Sequence, residues 1–239
     1  MINKKYLLSI LHLFLFILLF LLAYRGILFK GGVLGHNWDW SVPVLPSELK
    51  ELGSLFLGTW NENFLGQPTS FGLSSIPYYL GVYVLGSLGV TGEAFSRILL
   101  TFVSFMSYAS FYILFSYILI VDQSVKYRGL ALNCAFLVSV FYSFSPFVFN
   151  EFNGGALTHL ISYSFLPLFV FLYVKYLNTP RVLSVNLIAP LLVFFLISIS
   201  IQNMLFTLGL VLATTLYKYL IFRRKGPLTH LLVFGVSYK

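Results

Sequence analysis

The chain has 239 residues, 59% of them hydrophobic and 9% charged, with a mean hydropathy of +0.89 and a formal charge of +8. Soluble domains carry roughly 45–50% apolar and about 25% charged residues, so an ordinary soluble protein is excluded, as are a disordered chain and a coiled coil. The single cysteine, Cys134, excludes a disulfide scaffold, and no long polar stretch gathers the basic residues into a nucleic-acid surface. The fold class expected is all-α, a polytopic helical membrane protein of about six transmembrane helices at about 20 apolar residues each.

In chain order, Tyr6–Tyr24 is free of charge and follows Lys4 and Lys5. A signal peptide shares that pattern, but Arg25 and Lys30 follow instead of a small-residue cleavage site. The stretch is read as an uncleaved first span with a cytoplasmic N-terminus. Residues 25–97 form one long external segment holding all three tryptophans, Trp38, Trp40 and Trp60. Within it Pro46-Ser47-Glu48 predicts a helix start capped by Ser47. Leu49, Leu52, Leu55 and Phe56 would share its apolar face, with Lys50 and Glu51 opposite, as in a helix lying on a membrane surface.

The stretch Phe64–Gly92 has no charge but holds six glycines and two prolines. If it spans the membrane, Lys126, Arg128, Lys175, Arg181, Arg223, Arg224 and Lys225 all fall outside. If it lies at or re-enters the outer interface, those seven fall inside with Lys4 and Lys5, which the positive-inside rule favours. Residues 98–221 then supply five spans: Ile98–Val121, Gly129–Asn150, Gly154–Val174 and two from Val182–Tyr217. That last run is 36 residues, about 54 Å as one helix, and is split near Ser198–Asn203 into a helical hairpin. Residues 222–239 form a basic loop and the start of an incomplete seventh span. On this plasma-membrane topology six of the seven acidic residues are external and only Asp122 is internal.

The acidic residues carry the chemistry. Asp39 sits between Trp38 and Trp40, after His36-Asn37. Desolvation among aromatics brings a carboxylate nearer to general-base duty, although an Asp here also serves to cap a turn before Pro43. Glu151, in Asn150-Glu151-Phe152-Asn153-Gly154-Gly155, falls on the same side. It reads as part of a helix-ending turn or, with Asp39, as a pair of oxygen ligands for a divalent cation. Glu62 is a third candidate. Arg97, at the start of a span, suits a phosphate or a lipid headgroup. His159, near the external end of another span, is a candidate binding residue or a carbonyl-bonded structural one. His12, in the first span, is read as packing against a neighbour. No nucleotide-phosphate loop, zinc site or Ser-His-Asp set occurs, so substrates come from the membrane or from outside.

The string Gly35-His36-Asn37-Trp38-Asp39-Trp40-Ser41-Val42-Pro43 resembles the start of the first external loop in GT-C membrane glycosyltransferases of the arabinofuranosyltransferase-like branch. Thr59-Trp60-Asn61 through Gly66-Gln67-Pro68, Ser145-Pro146-Phe147, and Pro167 within Phe165-Leu166-Pro167-Leu168 resemble the same branch. The resemblance implies that Asp39 is the general base and that Glu151 serves a metal or substrate site, with Mg or Mn as the metal. It implies a polyprenyl-phosphate-linked sugar donor and a glycan, lipid or protein acceptor. His36, Trp38, Trp40, Glu62, Arg97 and His159 would then line the substrate site. Members of that fold have more spans than this chain, which reads as an N-terminal fragment, a truncated reading frame, or one part of a split enzyme whose fold a second chain completes. A transporter or lipid flippase, and a non-catalytic assembly subunit, are the alternatives.

Overall fold

The computed structural model describes residues 4–30, 42–57, 60–61, 67–68, 72–121, 128–178 and 185–222. The protein is helical: α1 (Lys4–Leu28), α2 (Pro46–Leu57), α3 (Gly72–Ser87), α4 (Gly92–Val121), α5 (Arg128–Ser143), α6 (Pro146–Gly154), α7 (Leu157–Asn178), α8 (Val185–Ile197) and α9 (Ile201–Phe222). The sole extended pairing among the described residues joins β1 (Trp60–Asn61) to β2 (Gln67–Pro68), antiparallel. Four stretches are long and apolar enough to cross a membrane: Leu7–Leu28, Gly92–Leu119, Arg128–Gly154 and Leu157–Leu177. Shorter apolar stretches occupy α8 (Asn186–Ile197) and α9 (Ile201–Tyr217). This is an integral membrane protein.

The expected break in the last long run falls at Ser198–Ser200, between α8 and α9. Within residues 25–97, α3 is 16 residues, about 24 Å, and is not among the four long stretches. Two boundaries differ from expectation. Ser47 does not cap α2, because the helix already includes Pro46; instead the Glu48 carboxylate accepts from the N–H of Leu45, 3.3 Å away. Asn150–Gly154 is not a turn but the second half of α6, and the chain turns at Gly155–Ala156.

Helices α2 and α3 form a close pair. A Cβ on Gly53 would lie 2.6 Å from the backbone nitrogen of Tyr83, and one on Gly86 would lie 2.5 Å from that of Lys50. Backbones approach this closely only where side chains are missing, as in small-residue contacts between membrane helices. The pair packs on the bundle through Leu49, Tyr78, Tyr79 and Val82. These share one buried cluster with Phe20 and Tyr24 of α1, Phe95 and Leu99 of α4, Val148 and Phe152 of α6, and Leu157 and Leu160 of α7. A second cluster, from Phe169 to Val211, joins the distal half of α7 to α8 and α9. Helix α1 is anchored elsewhere as well. His12 is 3% exposed, stacks on Phe136, and its ring nitrogens lie 3.2 Å from the Tyr112 hydroxyl and 3.0 Å from Asn133 Oδ1. The histidine thus packs as expected and ties α1 to α4 and α5.

Two prolines set the bends. Pro146 and Pro167 lack the N–H that would bond the carbonyl four residues back, at Tyr142 and Tyr163 respectively. Within hydrocarbon such a carbonyl must find another donor. The Tyr142 hydroxyl donates to the Tyr163 carbonyl at 2.9 Å, and the Tyr163 hydroxyl donates to the Tyr142 carbonyl at 3.3 Å. The two rings stack with centroids 4.3 Å apart and planes 10° apart. One segment reads Tyr-Ser-Phe-Ser-Pro and the other Tyr-Ser-Phe-Leu-Pro, so a local repeat builds a reciprocal clasp. Tyr142→Phe is expected to cost about 1 kcal/mol in reversible unfolding from mixed micelles. With Pro167→Ala also present, a restored N–H at 167 should shrink that cost; simple additivity of the two changes would sink the explanation.

Orientation can be read by labelling. With Cys134→Ser as background, single cysteines at positions 39, 126 and 151 are treated with an impermeant thiol reagent on intact cells. Labelling at 39 and 151 with protection at 126 is expected. Protection at 151 would mean that residues 64–92 span the membrane.

Candidate functional site

The clasp hands the chain to α6, and α6 presents Glu151. Ser145, forced into extended backbone before Pro146 (φ −63°, ψ 150°), caps α6 by accepting from the Val148 N–H at 3.4 Å. The helix ends at Gly155, whose left-handed φ of 76° suits glycine. The N–H of Ala156 then bonds the Glu151 carbonyl at 3.0 Å, and that of Gly155 bonds the Phe152 carbonyl at 3.3 Å. The backbone of Glu151 is therefore fixed on both sides of its side chain.

Eight residues on, across that turn, α7 supplies His159. Its Nδ1 lies 3.5 Å from Glu151 Oε2, and the two side chains keep 28% and 26% of their surface accessible. Asn203, in the first turn of α9, donates from Nδ2 to the His159 carbonyl at 3.2 Å. Ser162 Oγ donates to the Ile197 carbonyl at 2.7 Å, which holds the end of α8 against α7. The carboxylate thus stands against the imidazole with about a quarter of each side chain open to the surroundings.

Arg97 belongs to the same end of the bundle, flanked by Phe95 and Leu99 of the cluster that holds Phe152 and Leu160. Its Nη2 donates to Glu93 one helical turn earlier and to the Lys30 carbonyl at 2.6 Å. Its Nε is buried with no hydrogen-bond partner among the described residues. The guanidinium thus joins the chain leaving α1 to the start of α4, and its charge is balanced by Glu93 before any ligand arrives.

Of the residues singled out in the sequence, the structure brings Glu151 and His159 together, while Arg97 is bound to Glu93 and the Lys30 carbonyl. His36, Trp38, Asp39, Trp40 and Glu62 lie outside the described residues. Among the described residues no three of His, Cys, Asp and Glu gather as metal ligands. The expected cation pair of Asp39 and Glu151 includes a residue outside the described ones. Sequence reading missed Asn203 and the clasp tyrosines. Asn203 carried no signal, being one polar residue at a helix break, whereas the twofold Tyr-Ser-Phe-x-Pro string was there to be found.

Comparison with protein-family models, with curated proteins and with solved structures gave no match. The site is therefore judged on its own geometry. Gly155→Ala should destabilise the protein by about 1 kcal/mol, since a Cβ in the left-handed region is strained, and Gly155→Asn by less. Thermal unfolding in detergent checks the ranking, and equal stability of all three would remove the turn as the element that fixes Glu151.

Proposed function

We propose that the chain is a membrane glycosyltransferase that moves a sugar from a polyprenyl-phosphate-linked donor to an acceptor on the external face. The observation that carries the reading is the partly accessible Glu151–His159 pair at one end of a membrane bundle. Lys30 and Val42, the residues flanking the tryptophan-rich Asp39 segment, attach at that same end, through Arg97 and through the shared cluster. Asp39 is three residues from Val42 along the chain. The resemblance of Gly35–Pro43 to the first loop of the GT-C enzymes supports the same assignment.

In this reading Asp39 accepts the proton of the acceptor hydroxyl as that oxygen attacks the anomeric carbon. The bond from that carbon to the lipid phosphate breaks, and the phosphate leaves with its electron pair. Glu151, with its backbone fixed by the Gly155 turn and its carboxylate against His159, holds the sugar or the acceptor hydroxyls. Arg97 offers positive charge near the leaving phosphate only after giving up Glu93, so its role is the more dispensable. No step is routed through a metal.

The test is sugar transfer in membranes that contain the chain, using a panel of radiolabelled polyprenyl-phosphate sugars. Asp39→Asn should lower transfer by about 100-fold or more, the usual worth of a general base, and Glu151→Gln by a smaller factor. Arg97→Gln should alter the rate least. Unchanged transfer in both carboxylate variants would favour an assembly subunit. Absence of transfer with every donor, together with carboxylate-dependent uptake or flipping, would favour a transporter.

A further inference from the structure

One cavity of about 260 Å³ opens on the side of the bundle, lined in part by Phe95, Ile98 and Leu99, which flank Arg97, and by Ile161, two residues past His159. Its walls come from α3, α4, α7 and the α8–α9 turn, among them Gly81, Leu85, Ile98, Phe102, Phe165 and Leu196, and none of the described lining residues is charged. Ile98 and Phe102 line it and are also 46% and 41% exposed. Next to them Leu80 and Val84 of α3 turn outward as well, 48% and 45% exposed. The groove is thus continuous with the apolar outer surface of α4, one of the helices long enough to cross a membrane.

Its shape follows from the local sequence. Helix α3 approaches α2 through glycine on one side, at Gly86, and shows Gly81 on the groove side. Among the described residues, nothing lies within 4 Å of where a Cβ on Gly81 would stand. A slot with no side chain to fill it forfeits dispersion contacts along its whole lining, and in a bilayer those contacts are the main attraction available. Water is a poor filler, because the lining offers it almost no polar partner. What stands at the mouth in highest concentration is the hydrocarbon of the surrounding lipid, and occupancy follows concentration.

The geometry points to a binding site for one acyl chain of a bilayer phospholipid in the groove between α3 and the α4–α7 pair. The chain wedges α3 against the spanning helices and takes the place of the side chain that Gly81 lacks. This inference does not rest on the glycosyltransferase reading, because it concerns a lipid held as a structural element whatever chemistry the Glu151–His159 pair performs.

The full chain is reconstituted in nanodiscs of a phosphatidylcholine carrying a diazirine in one acyl chain, irradiated and digested. Crosslinks are expected on the peptides containing Leu85 and Ile98. Gly81→Leu fills the slot from within and should reduce them about tenfold. Gly209→Leu, a matched change at a helical glycine with equally open surroundings, should leave them unchanged. Adding phosphatidylcholine to delipidated protein in detergent should raise the melting temperature of the wild type and of Gly209→Leu but not of Gly81→Leu. Equal crosslinking or an equal lipid-induced rise in Gly81→Leu would overturn the proposal. So would displacement of the label by equimolar polyprenyl phosphate, which would assign the groove to an isoprenoid instead.

Discussion

A backbone carbonyl that has lost its helical partner inside hydrocarbon has no water to turn to, and much of this structure is arranged around that fact. Pro146 and Pro167 each free one carbonyl, and each freed carbonyl is taken by the hydroxyl of the tyrosine belonging to the other. The exchange joins α5 to α7 at the point where the chain leaves α5 for α6. Each proline is thus accommodated by the tyrosine opposite it, so the two sites act as a pair. The Ser164 carbonyl, next along α7, receives the Ser110 hydroxyl of α4 at 2.8 Å, which extends the same solution to a third helix.

From that junction the remaining geometry follows. Pro146 pushes Ser145 into extended backbone, Ser145 caps α6, and the nine residues of α6 end in the left-handed Gly155. Because α6 is pinned at both ends, Glu151 meets His159 across a single turn rather than by chance contact of two long side chains. At 3.5 Å, the Glu151–His159 contact is long and about a quarter of each side chain stays accessible. Its position is better explained by what it presents at the end of the bundle than by what it holds together. The opposite is true of His12, which is buried, bonded at both ring nitrogens and stacked, and so serves to fasten α1.

The open groove and the polar end are built by the same helices but answer to different physics. The polar end depends on turns and caps that fix backbone groups. The groove depends on glycine: Gly53 and Gly86 let α3 come close to α2, while Gly81 leaves the other side of α3 unfilled. A short helix placed this way, beside spanning helices, makes a lateral recess that the bilayer itself can occupy.

Much of the architecture was legible in the residues alone. Composition and the length of uncharged runs established a helical membrane protein. The excess length of Val182–Tyr217 against a bilayer of fixed thickness placed a break where α8 meets α9. Those conclusions rest on hydropathy and length, which act along the chain and need no knowledge of neighbours. The start of α2 and the end of α6 were misjudged because Ser47 and the Asn-Gly run satisfy several local geometries equally well, and packing chose among them. That Glu151 faces His159, that Asn203 steadies the histidine's backbone and that Arg97 is taken by Glu93 and Lys30 were decisions of the tertiary structure. Each depends on which helices stand side by side, and in a membrane that choice is made by close packing and by the need to satisfy freed carbonyls, neither of which hydropathy records.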